Sequence, residues 1–321
     1  MESQSDLDST GLFDARYKAF LETMTQLRPR LHRYCARMTG SVLDGEDIVQ
    51  EALFEAYRKL DTFDERRALG PWLFRIAHNR CIDFLRRRGV REEAEAAAVG
   101  PIAALPEDPP ALTVGPAVER LVVTLPPKER ACVLLKDVLG YSLEEIAELV
   151  GSSVGAVKAA LNRGRSKLSE LPDALLPLSP AGPAASPALS ELLQLYVERF
   201  NRRDWDGLRE LISADARVRV ADCFAGRFDN APYLGEYERA TTPWHLAVGE
   251  VDGEPVVIVQ QRDDEQRWTP RAVVRLSAVD GRVERIADYI FCPWLLPAAA
   301  LVITYPQGTD TCAELPASSR S

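Results

Sequence analysis

Two stretches of this chain set cations at spacings suited to nucleic-acid phosphate. Residues 72–88 hold Arg75, Arg80, Arg86, Arg87 and Arg88 against one acid, Asp83. Residues 151–168 hold Lys158, Arg163, Arg165 and Lys167 and no acid. Arginine offers a planar fork of donors to a phosphate or a guanine edge, and lysine a mobile point charge. A major groove needs those donors on one helix face; an unstacked single strand also needs flat or polar groups to hold its bases. Asn79 supplies a polar group among the arginines of the first stretch, and Trp72 and Phe74 supply rings. The plainer readings are a solvated face, cations favoured at a helix C-terminus, and rings packed in a core.

Local signals define the elements that carry these residues. Leu125-Pro126-Pro127 opens a helix, since proline is tolerated where the N–H would be unpaired anyway. It runs to about Leu139 and stops at Gly140. Ser142 then caps the next helix, with Glu145 completing a capping box. Gly151 breaks that helix, and Ser152 or Ser153 caps a basic one reaching about Leu168. Helix, short glycine turn and basic helix make a helix-turn-helix. Val154, Val157 and Leu161 are expected in its core, leaving Lys158, Asn162, Arg163 and Arg165 for a groove. In residues 72–88, Leu73, Ala77, Cys81, Phe84 and Leu85 share one side, and Arg75, Asn79, Asp83 and Arg86 another.

At 321 residues, two or three domains are expected. Residues 13–90 read as helical; prolines and glycines across 91–118 mark a linker, and six acids against two arginines over 91–120 make it acidic. A helical module covers 119–170, and a second proline-rich linker covers 171–187. From 188 a helix gives way to β-branched runs such as Val256–Val259 and Ala272–Leu276, with a turn signal at Asp280-Gly281. That predicts an α+β domain to 296 and a loose tail over 297–321. Net charge is −9, but the two basic faces matter more for partners than the average. Six scattered cysteines and three histidines suggest neither disulfide framework nor metal cluster, and no cofactor is expected. The acidic, polar N-terminus has no signal-peptide pattern, and no run is long enough to span a membrane, so a cytoplasmic, non-membrane protein is expected.

Residues 121–168 resemble region 4 of extracytoplasmic-function (ECF) sigma factors of the sigma-70 family. The likeness lies in the Leu-Pro start, Glu145-Ile146-Ala147 and Val157-Lys158-x-x-Leu161-x-Arg163-x-Arg165. It implies binding to the promoter −35 element through Lys158, Ala159, Asn162, Arg163 and Arg165, and to the polymerase β flap. Asp44-Gly-Glu46-Asp47-Ile-Val-Gln50-Glu51-Ala52, followed by Pro71-Trp72 through Arg88, resembles sigma region 2. There the likeness implies that Asp47, Gln50 and Glu51 meet the polymerase β′ clamp, and that Trp72, Arg75, Asn79, Arg80, Arg86 and Arg87 meet the −10 element. Asn79 would lie near the flipped base, with the loop 61–71 as pocket wall.

Residues 188–296, from Leu195-Tyr196 through Asp204-Trp205 to Val218-x-Val220, are similar to a SnoaL-like, ketosteroid-isomerase-like cone. Asp222, His245, Asp288 and Tyr289 are its candidates for acid–base chemistry, with no pairing visible in sequence. The fold expected is multidomain: two all-α sigma modules and a C-terminal α+β SnoaL-like cone. The function implied is an alternative sigma factor, without enzymatic activity, that takes core RNA polymerase and promoter DNA as partners. The other reading is a helix-turn-helix regulator with a ligand-sensing or cyclase/isomerase-like domain. The last domain carries a net charge of −6 (15 arginines, 21 acids) over 188–321, which favours intramolecular contact with the sigma modules. Trp294, Leu295 and Leu296 are the apolar candidates to anchor it, or to close the cone's own core.

Overall fold

The computed structural model describes residues 4–64, 68–98, 124–169, 186–239, 243–299 and 301–304. The chain forms two compact units. The first takes residues 1–184 together with Val251–Gly253 and Cys292–Ala300, and the second takes the remainder.

In the first unit, α1 (Gln4–Thr39), α2 (Val42–Arg58) and α3 (Leu69–Ala98) precede α4 (Pro127–Val133), α5 (Leu143–Leu149) and α6 (Val154–Ser169). Ser41 caps α2 by accepting from the Asp44 amide at 3.2 Å. The capping box of Ser142 and Glu145 forms at α5, and Ser153 accepts from the Ala156 amide at the start of α6. Gly140 (φ +74°) and Gly151 (φ +63°) make the left-handed turns that separate the three helices. One buried cluster joins Leu31 and Tyr34 of α1, Val49 of α2, Leu73 and Phe74 of α3, Leu135, Ile146 of α5 and Leu161 of α6. Both helical modules therefore share a core.

One boundary differs from the expectation, and one helix end keeps its place but changes form. The linker predicted from residue 91 begins later, because α3 continues to Ala98. Its last turns, Arg91-Glu-Glu-Ala-Glu-Ala-Ala-Ala, are strong helix formers. The first helix of the helix-turn-helix ends in a π-type turn, Leu134–Val138, before Gly140. Most of both linkers lies outside the described residues.

The second unit is α+β. Helices α7 (Pro187–Asn201), α8 (Trp205–Glu210) and α9 (Tyr233–Arg239) accompany a seven-stranded sheet of order β2-β1-β6-β5-β4-β3-β7. The strands are β1 (Ile212–Val220), β2 (Phe224–Arg227), β3 (Trp244–Val251), β4 (Glu254–Arg262), β5 (Trp268–Val279), β6 (Arg282–Asp288) and β7 (Leu301–Thr304). Strands β1 and β6 run parallel, while β5 runs antiparallel to both β4 and β6. Leu193, Tyr196 and Phe200 of α7 pack on Val257, Val259, Val274 and Leu276, and on Ile286 of β6. The Asn201 side chain ties α7 to β3 by bonding both the N–H and the C=O of Leu246, each at 2.9 Å. Asp280 and Gly281, both at positive φ, turn β5 into β6. The loose tail expected from 297 is corrected: a short helix α10 (Leu295–Ala298) and edge strand β7 occupy its start. Leu-Val-Ile-Thr is a β-branched run that completes the sheet.

Candidate nucleic-acid and polymerase interface

Lys158, Ala159, Asn162, Arg163 and Arg165 are all exposed on α6, while Val157 and Leu161 are buried beneath them. Arg163 and Arg165 are, however, not loose as the helical pattern suggested. The Arg163 Nε donates to Glu129 Oε1 at 3.0 Å, and Lys167 Nζ donates to Glu129 Oε2 at 2.8 Å. Arg165 Nε donates to Asp137 Oδ2 at 3.0 Å. The hydrogen bond from Lys167, with Arg163 beside it, holds the Glu129 carboxyl below the usual carboxylate range. These acids lie 28 to 38 residues earlier in the chain, out of reach of helical periodicity. Because Arg163 is held through Nε, its terminal amino groups stay outside that bond.

On α3, Arg75, Asn79, Arg86 and Arg87 are exposed and Arg80 is half-buried. Arg80 Nε bonds Glu55 Oε2 at 2.7 Å, and its Nη1 reaches Glu51 at 3.4 Å, linking this face to α2. Arg86 pairs with Asp83 at 3.2 Å. The two aromatics part company. Trp72 is half-buried against Phe63 of the preceding loop, with ring centroids 4.7 Å apart. Phe74 is 1% exposed, a core ring in contact with Tyr34 and Tyr141. Behind the basic face, the Tyr34 hydroxyl and His78 Nδ1 are 2.7 Å apart. Burial, with Arg75 adding, lowers the His78 pKa to about 4.

On α2, Asp47 and Gln50 are half-buried and Glu51 is exposed. Glu46, which sequence reasoning passed over, is fully buried. Its carboxylate accepts from Arg28, from Gln50 Nε2 at 3.2 Å and from Trp294 Nε1 at 2.8 Å. The Arg28 guanidinium lies over the Trp294 ring, 4.7 Å from its centroid. The amide of Val42, in the first turn of α2, donates to Asp252 Oδ2 at 2.8 Å. Further along, Phe54 and Tyr57 are exposed, and Tyr57 meets Tyr17 edge-on.

In the second unit, the Asp288 carboxylate accepts from Tyr233 at 2.9 Å, Tyr237 at 2.8 Å and the Ile290 amide at 2.9 Å. Burial raises its pKa although those bonds oppose the rise. Both oxygens are taken: the two tyrosines on Oδ2 tie α9 to β6, and the Ile290 amide holds Oδ1. Of the other candidates for acid–base chemistry, His245 packs on Trp268, Asp222 is exposed at a positive-φ turn, and Tyr289 is buried under Arg219.

Comparison with known proteins agrees with this architecture. Sigma-70 region 2 matches residues 23–91, and Sigma-70, region 4 matches residues 116–168. The ECF RNA polymerase sigma factor SigG of Mycobacterium tuberculosis is 32% identical over 254 residues, covering 71% of this chain. The alignment spans 65% of SigG's own length. The ECF RNA polymerase sigma factor SigW of Bacillus subtilis is 35% identical over 47% of this chain and 87% of its own. Among solved structures, the Mycobacterium tuberculosis sigma factor SigJ is 19% identical, over 84% of this chain and 95% of that one, with a TM-score of 0.33. A helix-turn-helix beside an acidic-and-basic helical bundle defines a sigma-type transcription protein. The chain belongs to the ECF RNA polymerase sigma factors.

Proposed function

We propose that the chain serves as an alternative sigma subunit of RNA polymerase, working in the cytoplasm. Helix α2 would hold the β′ clamp through Asp47, Gln50 and Glu51, and α4–α6 would meet the β flap. Helix α6 would read the −35 element with Lys158, Ala159, Asn162 and Arg163, while Arg165 holds phosphate. Helix α3 would meet the −10 element through Trp72, Arg75, Asn79, Arg80, Arg86 and Arg87. It performs no covalent chemistry; polymerase does that. Residues beyond 187 would modulate the activity through an intramolecular contact. One observation carries the reading: two exposed basic helix faces, each within a matched sigma region, sit in one unit with an acidic helix.

The reading is tested by binding to core polymerase. The full chain should co-purify with core enzyme, and the holoenzyme should protect a −35 duplex. A chain that binds specific DNA duplexes but not core enzyme would be a helix-turn-helix regulator instead.

A further inference from the structure

A glutamate is seldom buried without a partner, and Glu129 of α4 is only 6% exposed beside the basic face of α6. Gly164 admits it. A Cβ at position 164 would meet Val133 Cγ2 at 2.9 Å and Glu129 Cβ at 3.4 Å, so a side chain there would push α4 away from α6. With only hydrogen in that place, Glu129 reaches two cations one helical turn apart. Oε1 accepts from Arg163 Nε at 3.0 Å, and Oε2 accepts from Lys167 Nζ at 2.8 Å. Each oxygen has its own donor, so the carboxylate is held in one orientation.

The choice of nitrogen matters. An arginine bonded only through Nε keeps its two terminal nitrogens as a pair, the planar fork that a base edge with two acceptors takes. Arg163 is bonded to Glu129 in this way, with 59% of its side chain exposed. Arg165 commits both Nε and Nη2 to Asp137, which breaks up that pair. Ordering a free arginine would cost side-chain entropy at the moment of binding, and the bond to Glu129 imposes that order beforehand. The Lys167 hydrogen bond, foremost, holds the Glu129 carboxyl below its usual range, so it stays an ionised acceptor at neutral pH.

We propose that Glu129 is a positioning residue for promoter reading: it aims the Arg163 fork at a base edge of the −35 element and so sets the strength of base choice at one position. The inference rests on Arg163 reading that element. Glu129 acts through Arg163, without a DNA contact of its own. Lys167 satisfies the second oxygen, and its loss leaves Arg163 aimed.

The test is binding of the full chain to a duplex library randomised across the −35 element. Glu129→Ala should flatten base preference about fivefold at the position Arg163 reads, the lower end of what one bidentate base contact confers, and leave other positions alone. In an Arg163→Ala background the same change should add no further flattening. Lys167→Ala, which cuts the other half of the ion pair, should weaken all sequences alike. Three results overturn the proposal: equal loss at every position from Glu129→Ala, flattening that persists without Arg163, or the same flattening from Lys167→Ala. A reading on the unmodified chain is independent of how the variants fold. The Nε–H proton of Arg163, followed by NMR as a −35 duplex is added, should stay protected from exchange in the complex. Loss of that protection on binding means that the guanidinium leaves Glu129 to read DNA, and overturns the proposal. Unaltered base choice in Arg163→Ala instead removes the reading of Arg163 on which the proposal rests.

Discussion

The ring of Tyr141, in the turn before α5, meets the ring of Phe74 on α3 edge-on, with centroids 5.8 Å apart. Arg30 lies over the ring of that tyrosine, 5.0 Å from its centroid. The contact joins the two matched sigma regions, and the Arg130 guanidinium adds to it by bonding the carbonyls of Leu125 and Met38. Elements centred at −35 and −10 are 25 base pairs apart, or about 85 Å at 3.4 Å per pair. Helices that share a core cannot reach both, so on the proposed function promoter reading would require this contact to part.

Tyr141→Ala should therefore favour the parted form. An edge-to-face aromatic pair contributes about 1 kcal/mol beyond buried area, which shifts a two-state balance roughly fivefold. Spin labels at exposed Glu22 and Glu148, in a background with Cys223→Ser and Cys312→Ser, report the distance. A larger long-distance fraction than in the parent is expected; an identical distribution would show that the ring pair does not hold the regions together.

Arg163 and Arg165 should behave differently despite their similar ion pairs. Loss of a base-edge contact at Arg163→Ala should cost about 1–3 kcal/mol and relax choice at one −35 position. Arg165→Ala should weaken all duplexes alike and lower the salt slope by about one. Binding to a −35 library at several salt concentrations separates them. Sequence-blind loss from both changes removes Arg163 from base reading.

Charge reversal at Asp47 and Glu51 should weaken core-polymerase binding while −35 duplex binding by the same chain persists. Calorimetry with core enzyme and a duplex titration measure the two separately. Unaltered core affinity in a folded double variant contradicts the assignment of α2.

Acid should destabilise the first unit. The folded His78 has a pKa of about 4, against 6.5 for the free side chain. Unfolded chains therefore bind its proton first, and stability is full above about pH 6.5 and falls until pH reaches about 4. The full span is on the order of 3 kcal/mol. His32, also lowered by burial, acts in the same direction. Urea unfolding at about pH 7.5 and pH 5 checks this, and His78→Gln should flatten the difference. A pH dependence that survives His78→Gln intact would place the titrating group elsewhere.

The parts legible in the sequence are those set by neighbours three or four residues away. Ser142 with Glu145, the breaks at Gly140 and Gly151, and the amphipathic split of 72–88 all formed as local rules require. So did the Asp280-Gly281 turn. The illegible parts are pairings between distant residues. Nothing near Arg163 points to Glu129, 34 residues before it, and nothing near Glu46 points to Trp294. The burial of Glu46 had one local hint, a charged residue on the apolar side of α2 between Leu43 and Val49. The strand at 301–304 was hidden because it completes a sheet edge rather than forming a hairpin with the strand before it.

A sigma subunit directs polymerase to promoters. Run-off transcription with purified core polymerase on a promoter library tests it most directly. Transcripts are expected that need the chain, start at a shared −35/−10 pattern and diminish with Arg163→Ala. Absence of chain-dependent transcripts, with core enzyme active on a control sigma factor, would contradict it.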